Sequence, residues 1–345
     1  MPNSPATLTR EVYIENPFET VKLPLAARLF AIGYYRFKKR WAKRLFKRPA
    51  RLVFEIGYHW LKIGGQGIFR YTRRGVPTEL MFNGRNGQFG GIYQFPKDHV
   101  FEAPIAALQE ILLRGEAVFF DIGANWGCLS FQAASLDGFD GRIHAFEPVP
   151  TTFADLADLT RQAGLEDVIT CHRIGLSDRS AQGRMVLPDG GQTGWAKVVG
   201  EGTAGAFEVE LKALDDLDLP APTLIKIDAE GLEYNILRGA EKMLQRDKPG
   251  IVFENWLAGD VENETMAPLR FLEKLGYVLY CPCWRDGPNA TDGLSISNMP
   301  KRPGDRKYLT LLPMRAEHRY FGPTHWSYFA WHQDRTDELV RYFGN

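Results

Sequence analysis

The chain has 345 residues, 44% apolar and 24% charged, with 42 basic and 42 acidic side chains and therefore no net charge. That length and composition suit a soluble globular protein with one large α/β domain and additions, or two smaller domains, and the balanced charge gives no global case for nucleic-acid binding. Four cysteines (Cys128, Cys171, Cys281, Cys283) are too few and too scattered for a disulfide framework, and Cys281-Pro-Cys283 lacks the second pair that a zinc site needs.

Residues 1–20 are polar and predicted to be poorly ordered. They show no signal-peptide layout, and no apolar run in the chain reaches the roughly 18–20 residues that span a bilayer. With the cysteine pattern, this predicts a cytoplasmic protein. Between Arg36 and Arg51 stand nine Lys/Arg and no acid. On a helix most of these charges fall on one arc, with Tyr34, Trp41, Leu45 and Leu52 opposite, until Pro49 ends or kinks it. Such a helix over about 24–52 packs its apolar stripe on its own domain, lies on an anionic membrane surface such as the inner leaflet, or docks on another partner.

Residues 66–100 alternate weakly and carry several glycines, which suits a small β-layer. An amphipathic helix is predicted from Pro104 to Leu113. Strands are predicted at 117–122, 142–146, 168–174, 223–228, 250–255, 277–281 and 307–312, with helices near 127–136, 151–163, 231–245 and 264–275. Strands alternating with helices imply a mostly parallel seven-stranded sheet covered on both faces. Residues 183–217 read as a β-rich excursion, and the aromatic and histidine residues from about Arg315 as a packed terminal cap. The predicted organisation is an extension at 1–55, a β-rich accessory segment at 56–104, a main domain at 105–314 and the cap at 315–345.

The most informative stretch is VFFDIGANWGCLS, residues 118–130. An apolar run ending in Asp121 reads as a buried parallel strand. The turn Gly123-Ala124-Asn125-Trp126-Gly127 then lets the backbone bend sharply and lets a ligand approach. Twenty residues past Gly127, a second strand ends in Glu147, where an acid grips a nucleoside ribose. The turn lacks the third glycine of G-x-G-x-x-G and is a poor pyrophosphate cradle. That disfavours a nicotinamide dehydrogenase and suits a nucleoside without phosphates, such as S-adenosylmethionine.

Four segments in order, FFDIGANWGCLS, HAFEPVPTTFADL, GLSD and LIKIDAEGLEYNILRGAEKML followed by IVFEN, resemble the FkbM family of S-adenosylmethionine-dependent O-methyltransferases. The resemblance covers about residues 105–283. It implies a class I Rossmann-like methyltransferase fold and a hydroxyl acceptor on a sugar, glycolipid or secondary metabolite. Under it, Asp121, Gly123, Asn125 and Gly127 lie under the amino-acid end of the cofactor, and Glu147, followed by Pro148, takes the ribose hydroxyls. Ser177 and Asp178, expected to end the third strand, present an acceptor to the adenine amino group or form an ordinary Asx turn. The rival from another class is a membrane-associated binding or scaffolding protein with a degenerate methyltransferase fold.

Lys226, Asp228 and Glu230 close the fourth strand, where alternation puts Lys226 and Asp228 on one side. Asp228 and Glu230 would face both methyl donor and acceptor, and nearby carboxylates favour a sulfonium. A hydroxyl acceptor needs a general base in the transition state or a metal to acidify it. Two routes stand open: Asp228 or Glu230 as base beside Lys226, or magnesium held by Asp228, Glu254 and Asn255. Glu233 has a bland role available in the first turn of the next helix, and His172 reads as a core or edge histidine.

Overall fold

The structure is a computed structural model that describes residues 6–24, 52, 56, 65–84, 89, 100–186, 197–198, 205–296, 307–322 and 325–344. The predicted basic helix over 24–52 lies, apart from its two end residues, outside the described residues.

In the polar stretch predicted at residues 1–20, the described part, from residue 6, is more ordered than its composition predicts. It holds β1 (Leu8–Val12) and opens β2 (Phe18–Lys22), anchored by buried Val12, Ile14 and Phe18. A hairpin of β3 (Gln66–Arg73) and β4 (Val76–Asn83) joins β2 in a three-stranded sheet, the β-layer predicted before the main domain. Helix α1 (Ala103–Leu112), predicted to be amphipathic, is buried at nine of its ten residues. It lies against β1 and two helices instead of facing water along one side.

The main domain then alternates β5 (Val118–Ile122), α2 (Cys128–Ser135), β6 (Arg142–Phe146), α3 (Pro150–Gln162) and β7 (Ile169–His172). Proline at the start of α3 is pre-set for helix and loses only an amide that has no intrahelical partner. Strands β8 (Gly175–Leu176), β9 (Ala181–Val186), β10 (Lys197–Val198) and β11 (Phe207–Lys212) form a separate four-stranded sheet, which is the predicted excursion. Next come β12 (Leu224–Ile227), α4 (Glu233–Arg238), α5 (Glu241–Asp247), β13 (Gly250–Trp256) and α6 (Ala267–Lys274). The single helix predicted over 231–245 is broken at Gly239, which packs so closely on the Ser177 carbonyl that a Cβ there would stand 2.0 Å from its oxygen. The chain ends with β14 (Tyr277–Arg285), β15 (Leu294–Ser295), β16 (Lys307–Met314), β17 (His325–His332) and α7 (Thr336–Gly344).

The main sheet runs β1-β16-β14-β17-β13-β12-β5-β6-β7, with β15 paired to β14. Strands β7, β6, β5, β12 and β13 are parallel and keep the order of a Rossmann-like doubly wound sheet. Among the described residues the sheet is nevertheless mixed and ten-stranded, not seven-stranded and mostly parallel. Strand β17 runs antiparallel between β13 and β14, and β16 and β1 extend the far edge in antiparallel pairs. Strand β17 comes from the segment predicted as a cap. Its run Trp326-Ser327-Tyr328-Phe329-Ala330-Trp331 is buried on both faces, which explains an apolar sequence without alternation.

The two faces carry separate cores. Phe119, Ile143, Leu224 and Val252 pack with α1, α2, α3 and α7, and Phe120, Ile225, Ile251 and Phe253 with α4, α5 and α6. Chain order reverses at β5, which has β6 on one side and β12 on the other. A ligand crevice therefore lies outside the carboxyl ends of β5 and β12. No helix among the described residues is long and apolar enough to cross a membrane.

Candidate functional site

The glycine turn begins where β5 ends. Gly123, at φ 71°, donates its N–H to the Phe146 carbonyl at 3.1 Å, and a Cβ there would stand 1.8 Å from the Asp228 carbonyl oxygen. Only glycine fits, because both the left-handed backbone and the contact with the loop after β12 exclude a side chain. Gly127, at φ 94°, starts α2 where a Cβ would meet Leu156 Cδ1 at 2.6 Å. Asn125 (φ 54°) accepts the Trp126 N–H on its own Oδ1 at 2.8 Å, which steadies a conformation most side chains avoid.

Trp126 is buried, with its ring 5.0 Å from Phe89 and 5.4 Å from Phe18, centroid to centroid. The small sheet β2–β4 is therefore a buttress of the turn. Tyr71 Oη, donating to the Phe131 carbonyl at 3.0 Å, and Gln132 Nε2, donating to the Glu15 carbonyl at 3.0 Å, tie it along α2. These contacts join residues far apart in sequence, so nothing local to Trp126 signals its role.

Glu147 closes β6 with its carboxylate buried. Oε1 accepts the Val149 N–H at 2.8 Å and Oε2 the Asn125 N–H at 3.0 Å, so one side chain clasps the loops after β5 and β6. Burial pushes its carboxyl up to about 7 although those two amides oppose the shift. A folded-state value above the unfolded one means stability present at acid pH is lost as pH rises from about 4.5 to about 7. Denaturation from pH 5 to 8 should show wild type losing up to about 3 kcal/mol relative to Glu147→Gln, whose side chain carries no charge. Parallel curves would show that Glu147 ionises normally.

Pro148 is half-buried and leads the chain into α3. Ser177 does not end the third central strand, as predicted, because β7 stops at His172; it follows β8 and donates its N–H to the Lys212 carbonyl at 2.9 Å. Asp178 stands 3.6 Å from Arg238 in an ion pair, so its carboxylate already has a structural partner. His172 stacks on Phe146, with its Nε2 3.0 Å from His144 Nδ1, at the sheet margin expected of it.

On the face shared with Phe119 and Leu224, the strand ends carry Asp121, Lys226, Asp228 and Glu254. Asp121 is fully buried; its Oδ2 accepts Ser130 Oγ–H at 2.7 Å, and its Oδ1, with no hydrogen bond among the described residues, lies 3.4 Å from Lys226 Nζ. Lys226 Nζ donates to the carbonyls of Gly123 (2.8 Å) and Ile122 (3.2 Å) and sits 3.7 Å from Asp228 Oδ2. Burial works to lower its pKa, but Asp121, Asp228 and Glu254 together hold it above the usual lysine value. Lys226 is thus favoured in its ammonium form, with donors engaged on the turn. It braces the turn, and a raised pKa makes it a poor acceptor of a substrate proton.

Asp228 remains partly open, its side chain 39% exposed, and Glu230 follows at φ 51° in the same loop. Glu233 Oε1 accepts the N–H groups of Ala229 (3.1 Å) and Gly231 (3.2 Å), so its role is to support that loop. Two non-glycine residues in left-handed backbone, Asn125 and Glu230, thus flank the crevice from opposite loops.

The proposed magnesium set does not fit. Glu254 and Asn255 are consecutive on β13 and project to opposite faces. The Asn255 carboxamide is engaged on the far side, where Oδ1 accepts from Arg319 Nε at 2.6 Å and Nδ2 donates to the Thr265 carbonyl at 2.9 Å. A cation on Asn255 would sit against a guanidinium and away from Asp228. Among the described residues no group of three or more His, Cys, Asp or Glu is placed to hold a metal.

S-adenosylmethionine fits the donor set better. Glu147 keeps acceptor capacity on both oxygens, as ribose hydroxyls would need, and the acids facing the turn would favour an ammonium or a sulfonium. Among curated proteins the chain is 29% identical over 132 residues to hexuronic acid methyltransferase AglP of Haloferax volcanii, covering 37% of this chain and 52% of that relative. The match thus spans about half the relative's length. Similar solved structures include a methyltransferase FkbM from Methylobacillus flagellatus KT, at 17% identity and TM-score 0.36, covering 57% of this chain and 43% of that one. Another is an S-adenosylmethionine-dependent O-methyltransferase from Thermotoga maritima, at 10% identity and TM-score 0.34, covering 71% and 78%. The methyltransferase FkbM domain itself matches residues 121–279, from the carboxylate that opens the glycine turn to Leu279 on β14, a little under half of the chain, so this stretch is similar to the FkbM methyltransferases.

Proposed function

We propose that the protein transfers a methyl group from S-adenosylmethionine to a hydroxyl of a sugar or sugar-bearing molecule. One observation carries this reading: Asp121, Glu147 and Asp228 meet at one glycine turn at the point where strand order reverses. The hexuronic acid named for the Haloferax volcanii relative supports a sugar-type acceptor. Bound in the crevice, S-adenosylmethionine supplies an electrophilic methyl group on a sulfonium.

The chain's own residues have three tasks. Glu147 accepts hydrogen bonds from the ribose hydroxyls and fixes the nucleoside relative to β6. Lys226 and Asp121 hold the glycine turn in shape, so the donor and acceptor atoms can align for in-line displacement. Asp228 or Glu230, on the loop after β12, removes the hydroxyl proton as the new C–O bond forms. No step is assigned to a divalent cation.

Calorimetry with S-adenosylhomocysteine and with NAD tests the cofactor: the first should bind and the second should not. Absence of S-adenosylhomocysteine binding overturns the reading. For the acceptor, cell glycans from wild type and a deletion strain should differ by one methylene on a sugar residue. EDTA should leave methyl transfer unchanged, because Asn255 is turned from the acids. Loss of turnover that magnesium restores would show that other oxygen donors hold a metal.

A further inference from the structure

We infer that the end of the protein where the crevice opens docks on the surface of an anionic lipid bilayer. This goes beyond the methyl-transfer reading and does not depend on it. Exposed apolar side chains from several elements gather at that end. Half-exposed Trp256, whose indole Nε1 donates to Glu254 Oε2 at 3.1 Å, closes β13 and is followed by Leu257. Phe321, 91% exposed, comes shortly after Arg319, which bonds Asn255 at the same strand end. Strand β14 runs antiparallel to β17 and so parallel to β13, which brings exposed Leu294 of β15, and Ile296 after it, to this end as well. Helix α1 leads the chain to the start of β5, and therefore begins here too, with exposed Phe101 just before it.

The basic run of the sequence is tied to the same end. Strand β3 follows α2 away from the glycine turn: Phe69 stands at Trp126, Tyr71 donates to the Phe131 carbonyl, Arg73 to that of Ala134 and Arg74 to that of Phe139. Gly65, at the head of β3, is therefore at the crevice end, and Pro24 lies beside it, since a Cβ on Gly84 would meet both. The stretch between Arg36 and Arg51, with nine Lys/Arg and no acid, is joined to the described residues at Pro24 on one side and at Gly65 on the other.

Apolar and aromatic side chains standing out from separate loops around one opening suit the headgroup and acyl boundary, which each can enter by itself. Basic residues attached beside them supply the attraction to anionic headgroups, which acts within a Debye length of the surface. The nearby acids are engaged within the protein: Glu262 with Arg270 and Tyr320, and Asp260 with Asn263. Docked this way, the crevice faces the headgroups, and contact is at the surface, because no helix among the described residues is long and apolar enough to cross.

The test is cosedimentation of full-length protein with phosphatidylcholine vesicles, with and without phosphatidylglycerol. Wild type should bind the mixed vesicles at least tenfold more tightly than phosphatidylcholine alone, and less tightly as salt rises. Phe321→Asp should weaken that binding tenfold or more, and Phe321→Trp should retain it. Val76→Asp places the same charge on an exposed apolar site at the β3–β4 turn, the far end of α2, and should bind as wild type. S-adenosylhomocysteine affinity should be equal in all four proteins. No pelleting of wild type with the mixed vesicles, unaltered binding by Phe321→Asp, or an equal loss in Val76→Asp overturns the docking surface. Wild-type protein that pellets as expected but fails to bind S-adenosylhomocysteine instead overturns the methyltransferase reading and leaves the docking surface standing.

Discussion

Replacing Glu147 with alanine should weaken S-adenosylhomocysteine binding by about 2–4 kcal/mol, roughly thirty- to several-hundred-fold. Two losses combine. The ribose hydroxyls lose a charge-assisted acceptor, and the N–H groups of Asn125 and Val149 lose the oxygens they donate to at 3.0 and 2.8 Å. The second loss loosens the turn that carries Gly123 and Asn125, so the cofactor would also have to order its own site. Calorimetry on a variant with wild-type circular dichroism measures the effect. A folded Glu147→Ala protein with unchanged affinity would place the ribose elsewhere.

The parts of this site that sequence exposes are those built within one short segment. Asp121, the glycine turn and α2 are contiguous, so apolar run, turn and helix onset reveal them together. Glu147 follows at the distance set by one βαβ unit. What sequence conceals depends on partners brought from afar. The bracing contacts of Lys226 are hidden in the same way, since its ammonium meets the carbonyls of Ile122 and Gly123, more than a hundred residues earlier. Trp126 looks like a chance aromatic in a turn until Phe18 and Phe89 close around it.

The errors have physical causes as well. Strand β17 escaped detection because a strand covered on both faces has no polar alternation, and its aromatic residues resemble those of a surface cap. Strand β1 was hidden by its polar composition. It belongs at the sheet edge, where one side needs little apolar cover. The magnesium set finds no support for a reason that sequence does not show: the Asn255 carboxamide is engaged by Arg319 and Thr265, on the face opposite Glu254. The same alternation pairs Glu254 with Trp256.

Lys226→Met should destabilise the protein by about 3–5 kcal/mol in urea denaturation, because removing one partner leaves the other charge buried and uncompensated. The abandoned charge is Asp121, fully buried, with Oδ1 3.4 Å from the ammonium and Ser130 as its one hydrogen-bond donor among the described residues. The carbonyls of Ile122 and Gly123 lose their donor in the same step. Adding Asp121→Asn should recover part of the loss, since a neutral amide costs less to bury than an unpaired carboxylate and can still meet Ser130. A Lys226→Met protein as stable as wild type would mean that the ammonium offsets no charge in the fold, and its assignment as a brace would fail. A double variant no more stable than the single one would locate the cost in the two carbonyls. Lys226 would then hold the glycine turn through its backbone, with the carboxylate row contributing only the field that keeps it charged.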